Sequence, residues 1–295
     1  MPASNSTYRG RFAPSPTGPL HLGSLIAALA SYLDARHNGG LWLMRMEDLD
    51  PPREEPGAAQ SILHSLSDHG LRWDEDTLWQ SRRGDAYDEA LQQLSQQQQL
   101  IRCDCTRALL GPGGACGGRC LPRQLEISKP YALRLMVATD DSVIEFTDLL
   151  QGTVHETVGA QLPDFVLRRK DGLYAYQLAV VVDDAHQGIT HVVRGSDLLE
   201  STGRQIYLQQ QLGLPRPHYS HLPVITNEQG QKLSKQNHAP ALLAAQAAEN
   251  LRKALGFLRQ TPPPARLTQC SDILEFATRH WSTGDIPRTL SIPAQ

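Results

Sequence analysis

An α/β fold built on a parallel sheet is what the sequence predicts, and three observations predict it. A short extended segment, Tyr8 to Ala13, runs into the turn-rich loop Pro14-Ser15-Pro16-Thr17-Gly18-Pro19. From His21 the stretch LGSLIAALASYLDARH repeats its apolar residues at helical spacing, and Gly39-Gly40 supplies the stop. The run LWLMRME then reads as a buried strand. Strand, Gly/Pro loop, helix, strand is the opening of a Rossmann-like, nucleotide-binding sheet.

The later elements extend this pattern. AAQSILHSLSDHG and DAYDEALQQLSQQQQL read as helices, the glutamine run being a solvated helix face. KPYALRLMV, SVIEFTDLL and DFVLRRKDGLYAYQLAVVVDD read as strands, the last with a hairpin at Lys170-Asp171-Gly172. On this reading Asp183 and Asp184 close an apolar strand, where they either position a ligand or cap a turn. A helix over LLESTGRQIYLQQQLG precedes a loop around Lys232 to Asn237. The helix ALLAAQAAENLRKALGFL leads to Pro262-Pro263-Pro264, and a last helix is expected near Ser271 to His280. The division expected is a disordered lead (1–7), a first half of the catalytic domain (8–102) and an insertion with connective region (103–165). The second half (166–240) and a short helical C-terminal part (241–295) complete it.

The chain has 295 residues, 40% of them hydrophobic and 20% charged, ordinary values for a water-soluble protein. Its apolar runs are shorter than the ~18 residues of a membrane span. MPASNSTYRG has neither the apolar core nor the cleavage pattern of a signal peptide, so a cytoplasmic protein without a membrane partner is expected. A formal charge of −3 argues against a protein that simply coats nucleic acid. An RNA partner would have to be met by a local basic surface and by shape.

Four of the five cysteines, Cys103, Cys105, Cys116 and Cys120, fall in the spacing C-x-C-x10-C-x3-C, and Cys270 stands apart. Four thiolates on one short segment with intervening glycines can surround Zn2+ tetrahedrally, and with no position left open such a site is structural. A metal-free reduced set and disulfides are the alternatives.

Two further strings carry chemistry. The first runs from Arg11 to Ser24, RFAPSPTGPLHLGS, and places His21 at a helix start behind a Pro/Gly loop. Backbone N–H groups and the helix dipole favour phosphate there, and the histidine can donate to a phosphate oxygen as charge builds. Gly23 removes a Cβ, so that an adenine ring could lie against the backbone. The second is Lys232-Leu233-Ser234-Lys235-Gln236, whose two lysines can neutralise a triphosphate as its α-phosphorus is attacked.

Together these strings resemble the HIGH and KMSKS signatures of class I aminoacyl-tRNA synthetases, in the RFAPSPTGxLHxG form of the glutamyl branch. Ser24 stands where HIGH ends in histidine, and Leu233 and Gln236 depart from KMSKS. The resemblance implies ATP with Mg2+ as cosubstrate, His21, Lys232 and Lys235 as catalytic groups, and His21, Gly23 and Lys235 at the nucleotide. It also implies a glutamate pocket. Arg11 and Arg194 would hold carboxylates, Glu47 the ammonium, Ser15 would add a backbone-assisted contact and Tyr176 would orient the substrate. Bidentate arginine geometry suits carboxylates.

The resemblance covers roughly residues 8 to 260. About sixty residues follow Lys235, too few for the helical anticodon-reading domains of full-length glutamyl-tRNA synthetases. That combination, with the cysteine insertion, resembles the glutamyl-queuosine tRNA(Asp) synthetases. The implied reaction is tRNA-independent activation of L-glutamate, then transfer to the queuosine base in the anticodon of tRNA(Asp) by a monomer. A truncated enzyme charging the 3′ end of tRNA(Glu), and a non-catalytic RNA-binding module, are the rival expectations.

Overall fold

The computed structural model describes residues 7–137, 143–226 and 240–293. β1 (Arg9–Phe12), β2 (Leu41–Met46) and β3 (Asp74–Trp79) form a parallel sheet in the order β1-β2-β3. The expected helix appears as α1 (Leu22–His37), capped by His21 and closed by Asn38 and Gly39, with Arg36 and His37 in its last turn where the helix dipole favours cations. Leu25, Ile26, Ala28, Leu29 and Leu33 are its buried face. Gly40 is required by close approach: a Cβ there would strike the Tyr8 carbonyl, which accepts from the Leu41 N–H.

α2 (Ala58–Asp68) and α3 (Gly84–Gln96) match the expected helices. The chain then builds β4 (Leu100–Cys103), β5 (Ala132–Leu135) and β8 (Phe165–Arg168), a small antiparallel sheet in the order β4-β5-β8 that carries the cysteine segment. Between β5 and β8 in sequence stand β6 (Val143–Asp148) and β7 (Gly152–Thr157), an antiparallel hairpin. The second parallel group is β9 (His191–Gly195) and β10 (His218–Leu222), with β10 lying between β9 and β6. α5 (Leu199–Leu212) connects β9 to β10.

The two parallel groups meet at β1 and β9. The Thr190 N–H donates to the Arg9 carbonyl at 2.9 Å, and the Arg9 N–H donates to Thr190 Oγ1 at 2.8 Å. Connections leave β1 towards β2 and leave β9 towards β10, so the crevice between β1 and β9 is a topological switch point, where open α/β sheets bind their ligands.

The run from Asp164 to Asp184 differs from the strand pair expected. β8 stops at Arg168, the turn at 169–172 forms with the Arg169 N–H on the Leu173 carbonyl, and from Tyr176 the chain is α4 (Tyr176–His186). Asp183 and Asp184 therefore sit in a helix, not at a strand end. Leu178, Ala179, Val180, Val181, Asp183 and Asp184 are all buried, so α4 has no polar stripe along this run to reveal a 3.6-residue period. Its three successive valines also favour extended structure locally. β3 and β7 were not expected, because DEDTLW and GTVHET lack an apolar alternation.

α6 (Ala247–Phe257) starts later than the apolar run suggests, and α7 (Cys270–Arg279) lies where expected. The C-terminal part is not wholly helical. β12 (Ser291–Pro293) pairs in parallel with β11 (Val224–Thr226), the strand that precedes the lysine loop. Two cores result. One packs α1 with β1, β2, α2, α6 and α7, and the other packs α3, α4 and α5 with β6, β9 and β10.

Candidate active site

Four of the residues expected at the amino-acid pocket arrive from separate elements. Arg11 comes from β1, Glu47 from the end of β2, Tyr176 from the first turn of α4 and Arg194 from β9. Burial raises the Tyr176 phenol above its usual range, and the charges of Arg194, Glu47, Arg11 and Asp184 all act on it. These groups therefore share one buried region at the switch point.

Inside it Arg11 is already engaged. Its Nε donates to Asp184 Oδ1 at 3.2 Å and its Nη2 reaches Asp184 Oδ2 at 3.5 Å. Arg45, fully buried on β2, gives Nη1 to Asp184 Oδ1 at 2.7 Å and to Gln187 Oε1 at 3.0 Å, and Nη2 to Glu47 Oε1 at 3.5 Å. Burial opposes ionisation of Asp184, but Arg11 and Arg45 outweigh it and hold the carboxyl below its ordinary range. Burial dominates at Glu47 despite Arg45 and Arg11, and its carboxyl lies above the usual range.

The adjacent aspartate does different work. Asp183 accepts from Gln80 Nε2 at 2.9 Å, Arg83 Nε at 3.0 Å and Tyr87 Oη at 2.6 Å, which clamps α4 to α3 and to the segment before it. Of the pair left open by the sequence, Asp184 faces the crevice arginines and Asp183 is a fastening.

Arg194 is held on several sides. Nε donates to His221 Nε2 at 3.0 Å, Nη1 to Tyr176 Oη at 3.3 Å, and Nη2 to Thr202 Oγ1 at 2.9 Å and to the Leu198 carbonyl at 3.5 Å. Arg45, His221 and Thr202 were missed by sequence reasoning. An arginine in the middle of the buried strand LWLMRM was a readable signal for the first, because buried charges need partners.

The described residues expected at the nucleotide lie at the start of α1. His21 is buried as the N-cap, its Nδ1 accepting from the Ser24 N–H at 3.3 Å and its Nε2 lying 3.0 Å from Ser24 Oγ. Ser24 thus holds the ring at both nitrogens and sets a tautomer with a bare Nδ1. Gly23 is the second residue of α1. Ser15 is exposed on the preceding loop, and backbone bonds flank it: the Glu47 N–H donates to the Pro14 carbonyl at 2.9 Å and the Glu55 N–H to the Pro16 carbonyl at 3.0 Å. Lys232 and Lys235 lie outside the described residues. The chain that follows them returns to His21, where Ala241 forms a β-bridge with His21 and the Leu242 N–H donates to the Leu20 carbonyl at 3.1 Å.

The four clustered cysteines converge as expected. Their sulfurs lie within 4.8 Å of one another, all four buried, with Cys105 Sγ 4.0 Å from Cys116 Sγ and 3.5 Å from Cys120 Sγ. Burial, together with neighbouring thiols, pushes Cys103 and Cys116 each up to about 11, whereas at Cys120 burial is outweighed by hydrogen bonds from the backbone and from Cys105 and Cys116, which hold the thiol below its usual range, with Arg123 Nη2 4.0 Å from the sulfur. Asp164 accepts from the Cys116 and Gly117 N–H groups at 3.0 and 2.8 Å and pairs with Arg134. Lys170 Nζ donates to the Asp104 and Cys105 carbonyls, both at 2.7 Å. The arrangement can hold a thiophilic cation.

Comparison with known proteins agrees with this geometry. Residues 7–111 and 122–260 match the family described as tRNA synthetases class I (E and Q), catalytic domain. The chain is 51% identical over 295 residues to a glutamyl-Q tRNA(Asp) synthetase of Pseudomonas fluorescens, covering 99% of this chain and 97% of the relative. It is 48% identical over 289 residues to the protein of that name from Neisseria meningitidis, covering 95% and 98%. A crystal structure of a glutamate tRNA ligase from Elizabethkingia meningosepticum, in complex with its amino acid, superposes with a TM-score of 0.80 at 26% identity, covering 98% of this chain and 67% of the ligase.

Proposed function

The chain belongs to the class I glutamyl and glutaminyl tRNA synthetase family, and from that premise we propose that it activates glutamate with ATP and transfers it to queuosine in the anticodon of tRNA(Asp). The observation that carries the amino-acid half is the convergence of Arg11, Glu47, Tyr176 and Arg194 at the switch point. Three guanidiniums, Arg11, Arg45 and Arg194, stand with two carboxylates, Asp184 and Glu47, and leave one positive charge in excess. A dicarboxylic amino acid with one ammonium carries the complementary net charge. Arg11 and Arg194 serve its carboxylates, Glu47 its ammonium, Ser15 a loop contact, and Tyr176 its orientation.

The α-carboxylate attacks the α-phosphorus of ATP accompanied by Mg2+, a P–O bond forms, and pyrophosphate leaves. His21, Gly23 and the α1 N-terminus receive the nucleotide, and Lys232 and Lys235 offset charge on the phosphates. A hydroxyl of the queuosine cyclopentenediol then attacks the adenylate carbonyl, an ester forms, and AMP leaves. The enzyme supplies chiefly position and electrostatics. The near-full-length likeness to glutamyl-Q tRNA(Asp) synthetases supports queuosine on tRNA(Asp) as acceptor.

Zn2+ fits the cysteine cluster. Zn–S bonds of 2.3 Å in a tetrahedron place sulfurs about 3.8 Å apart, and the separations of Cys105 Sγ from Cys116 Sγ and Cys120 Sγ, 4.0 and 3.5 Å, bracket that value. Cys103, Cys105, Cys116 and Cys120 would hold the ion, which supplies a structural crosslink. The enzyme acts as a monomer in the cytoplasm, and no described helix is long and apolar enough to cross a membrane.

The test is glutamate-dependent ATP–pyrophosphate exchange without tRNA, followed by transfer of labelled glutamate to tRNA(Asp) with and without queuosine. Exchange with glutamate, and label only on the modified RNA, is the expected result. Label on the 3′ adenosine of tRNA(Glu) would overturn the acceptor assignment.

A further inference from the structure

Arg194 lies beside a buried relay that amino-acid chemistry alone does not require. His221 on β10 is fully buried, and its Nδ1 lies 2.6 Å from Asp148 Oδ2 at the end of β6. Asp148 also accepts backbone N–H groups from Leu150, Gln151 and His221 at 3.0, 2.9 and 3.1 Å, which fixes the carboxylate. An anchored acceptor demands a proton on His221 Nδ1, so Nε2 is bare and accepts from Arg194 Nε at 3.0 Å. Thr202 on α5 closes the triangle, 3.2 Å from His221 Nε2 and 2.9 Å from Arg194 Nη2.

These contacts use the back edge of the guanidinium. A guanidinium has five N–H donors, and Nε and Nη2 are turned to His221, Thr202 and Leu198. The Nη1 edge faces Tyr176, whose phenol also feels Glu47 and Arg11. Without an acceptor at Nε, the guanidinium keeps its bonds to Thr202, Leu198 and Tyr176 but loses the one that fixes the root of the fork, and its aim loosens.

We infer that His221, oriented by Asp148 and assisted by Thr202, is the positioning residue that aims Arg194 at the carboxylate of the amino-acid substrate. The inference rests on the glutamate-activating reading above. It makes a directional claim about protons. Protonated His221 would turn a donor and a positive charge on Arg194, so aim requires the neutral ring. The groups facing that ring are Asp148, Arg194 and Thr202, Tyr219 stacked at 6.2 Å on its own strand, Gln151 on its carbonyl, and Arg11 at longer range. Burial first, then Arg194 and Arg11, depress its basicity against the pull of Asp148.

The test compares steady-state exchange by wild type, His221→Gln and Thr202→Val. His221→Gln should raise KM for glutamate about tenfold or more while leaving kcat within about threefold and KM for ATP within about twofold. Thr202→Val, which removes one hydroxyl at nearly constant size, should raise glutamate KM about three- to fivefold. In wild type, kcat/KM for glutamate should fall towards acid as His221 and Glu47 take up protons, and the His221 component should vanish in His221→Gln, leaving a shallower limb. Equal rises in ATP and glutamate KM, a loss confined to kcat, or an acid limb in His221→Gln as steep as in wild type would overturn the inference. If His221→Gln fails to fold, the glutamate KM of Thr202→Val decides alone, and an unchanged value overturns it. Wild type without glutamate-dependent exchange would sink the parent reading as well; normal wild-type exchange with unshifted variants sinks only this one.

Discussion

The crevice between β1 and β9 and the cysteine module on β4 are both polar clusters under cover, yet they are completed differently. In the crevice the buried carboxylates already have charged protein partners: Asp184 lies between Arg11 and Arg45, and Glu47 lies against Arg45. In the module four thiols press on one another with burial driving Cys103 and Cys116 towards neutrality, and among the described residues Ile101 and Ile127 join them as buried core. On the function proposed above, the crevice would receive a ligand that comes and goes, and the module would hold one that stays.

Metal removal should separate the two regions most sharply. Chelation, or Cys105→Ser, should abolish bound zinc by elemental analysis and expose residues 104–125 to protease, while glutamate-dependent exchange falls by less than about threefold. Loss of both regions together would break the comparison. Next in size is Asp184→Asn, which leaves two buried guanidiniums without their shared anion and should cost about 3–5 kcal/mol by denaturant unfolding. A loss under about 1 kcal/mol would mean the crevice is not held by its own ion pairs. Lys235→Ala should then reduce exchange on the order of a hundredfold, about 2.7 kcal/mol, with an unchanged melting curve. Near-normal exchange would remove the lysine from the reaction.

The smallest effect is acid sensitivity. Asp184 has a folded value below its unfolded one, so its contribution is fully present above the unfolded carboxylate value, about 3.9, and is lost as pH falls through the folded value. Glu47, whose folded value is raised, works in the opposite sense and destabilises the fold as pH rises through that value. Asp184→Asn should flatten the acid side of the stability profile below about pH 4, and an unflattened profile would assign acid lability elsewhere.

Much of this was legible because the informative signals were local. The Pro/Gly loop, the helix start at His21, the buried strand and the cysteine cluster are each written in short stretches of chain, and each forms where expected. The glutamate-pocket residues were named through resemblance, and their convergence depends on strands remote in sequence. What stayed hidden was buried all round. α4 shows no amphipathic period along AVVVDD because both polar residues at its end point inward, Asp183 to Tyr87 and Asp184 to Arg11. His221 gave no sign either, since its meaning comes from Asp148 on β6 and Arg194 on β9. Lys232 and Lys235, expected at the nucleotide, lie outside the described residues.

The pairing of β11 with β12 has a consequence for synthesis. Arg11, Glu47, Tyr176 and Arg194 all precede β11 in the chain, whereas the neighbour that β11 needs is made among the last residues described. Translation therefore delivers Arg11, Glu47, Tyr176 and Arg194 before it delivers the partner of β11. On the ribosome, the pairing of β11 with β12 is the last of the described strand contacts to be completed.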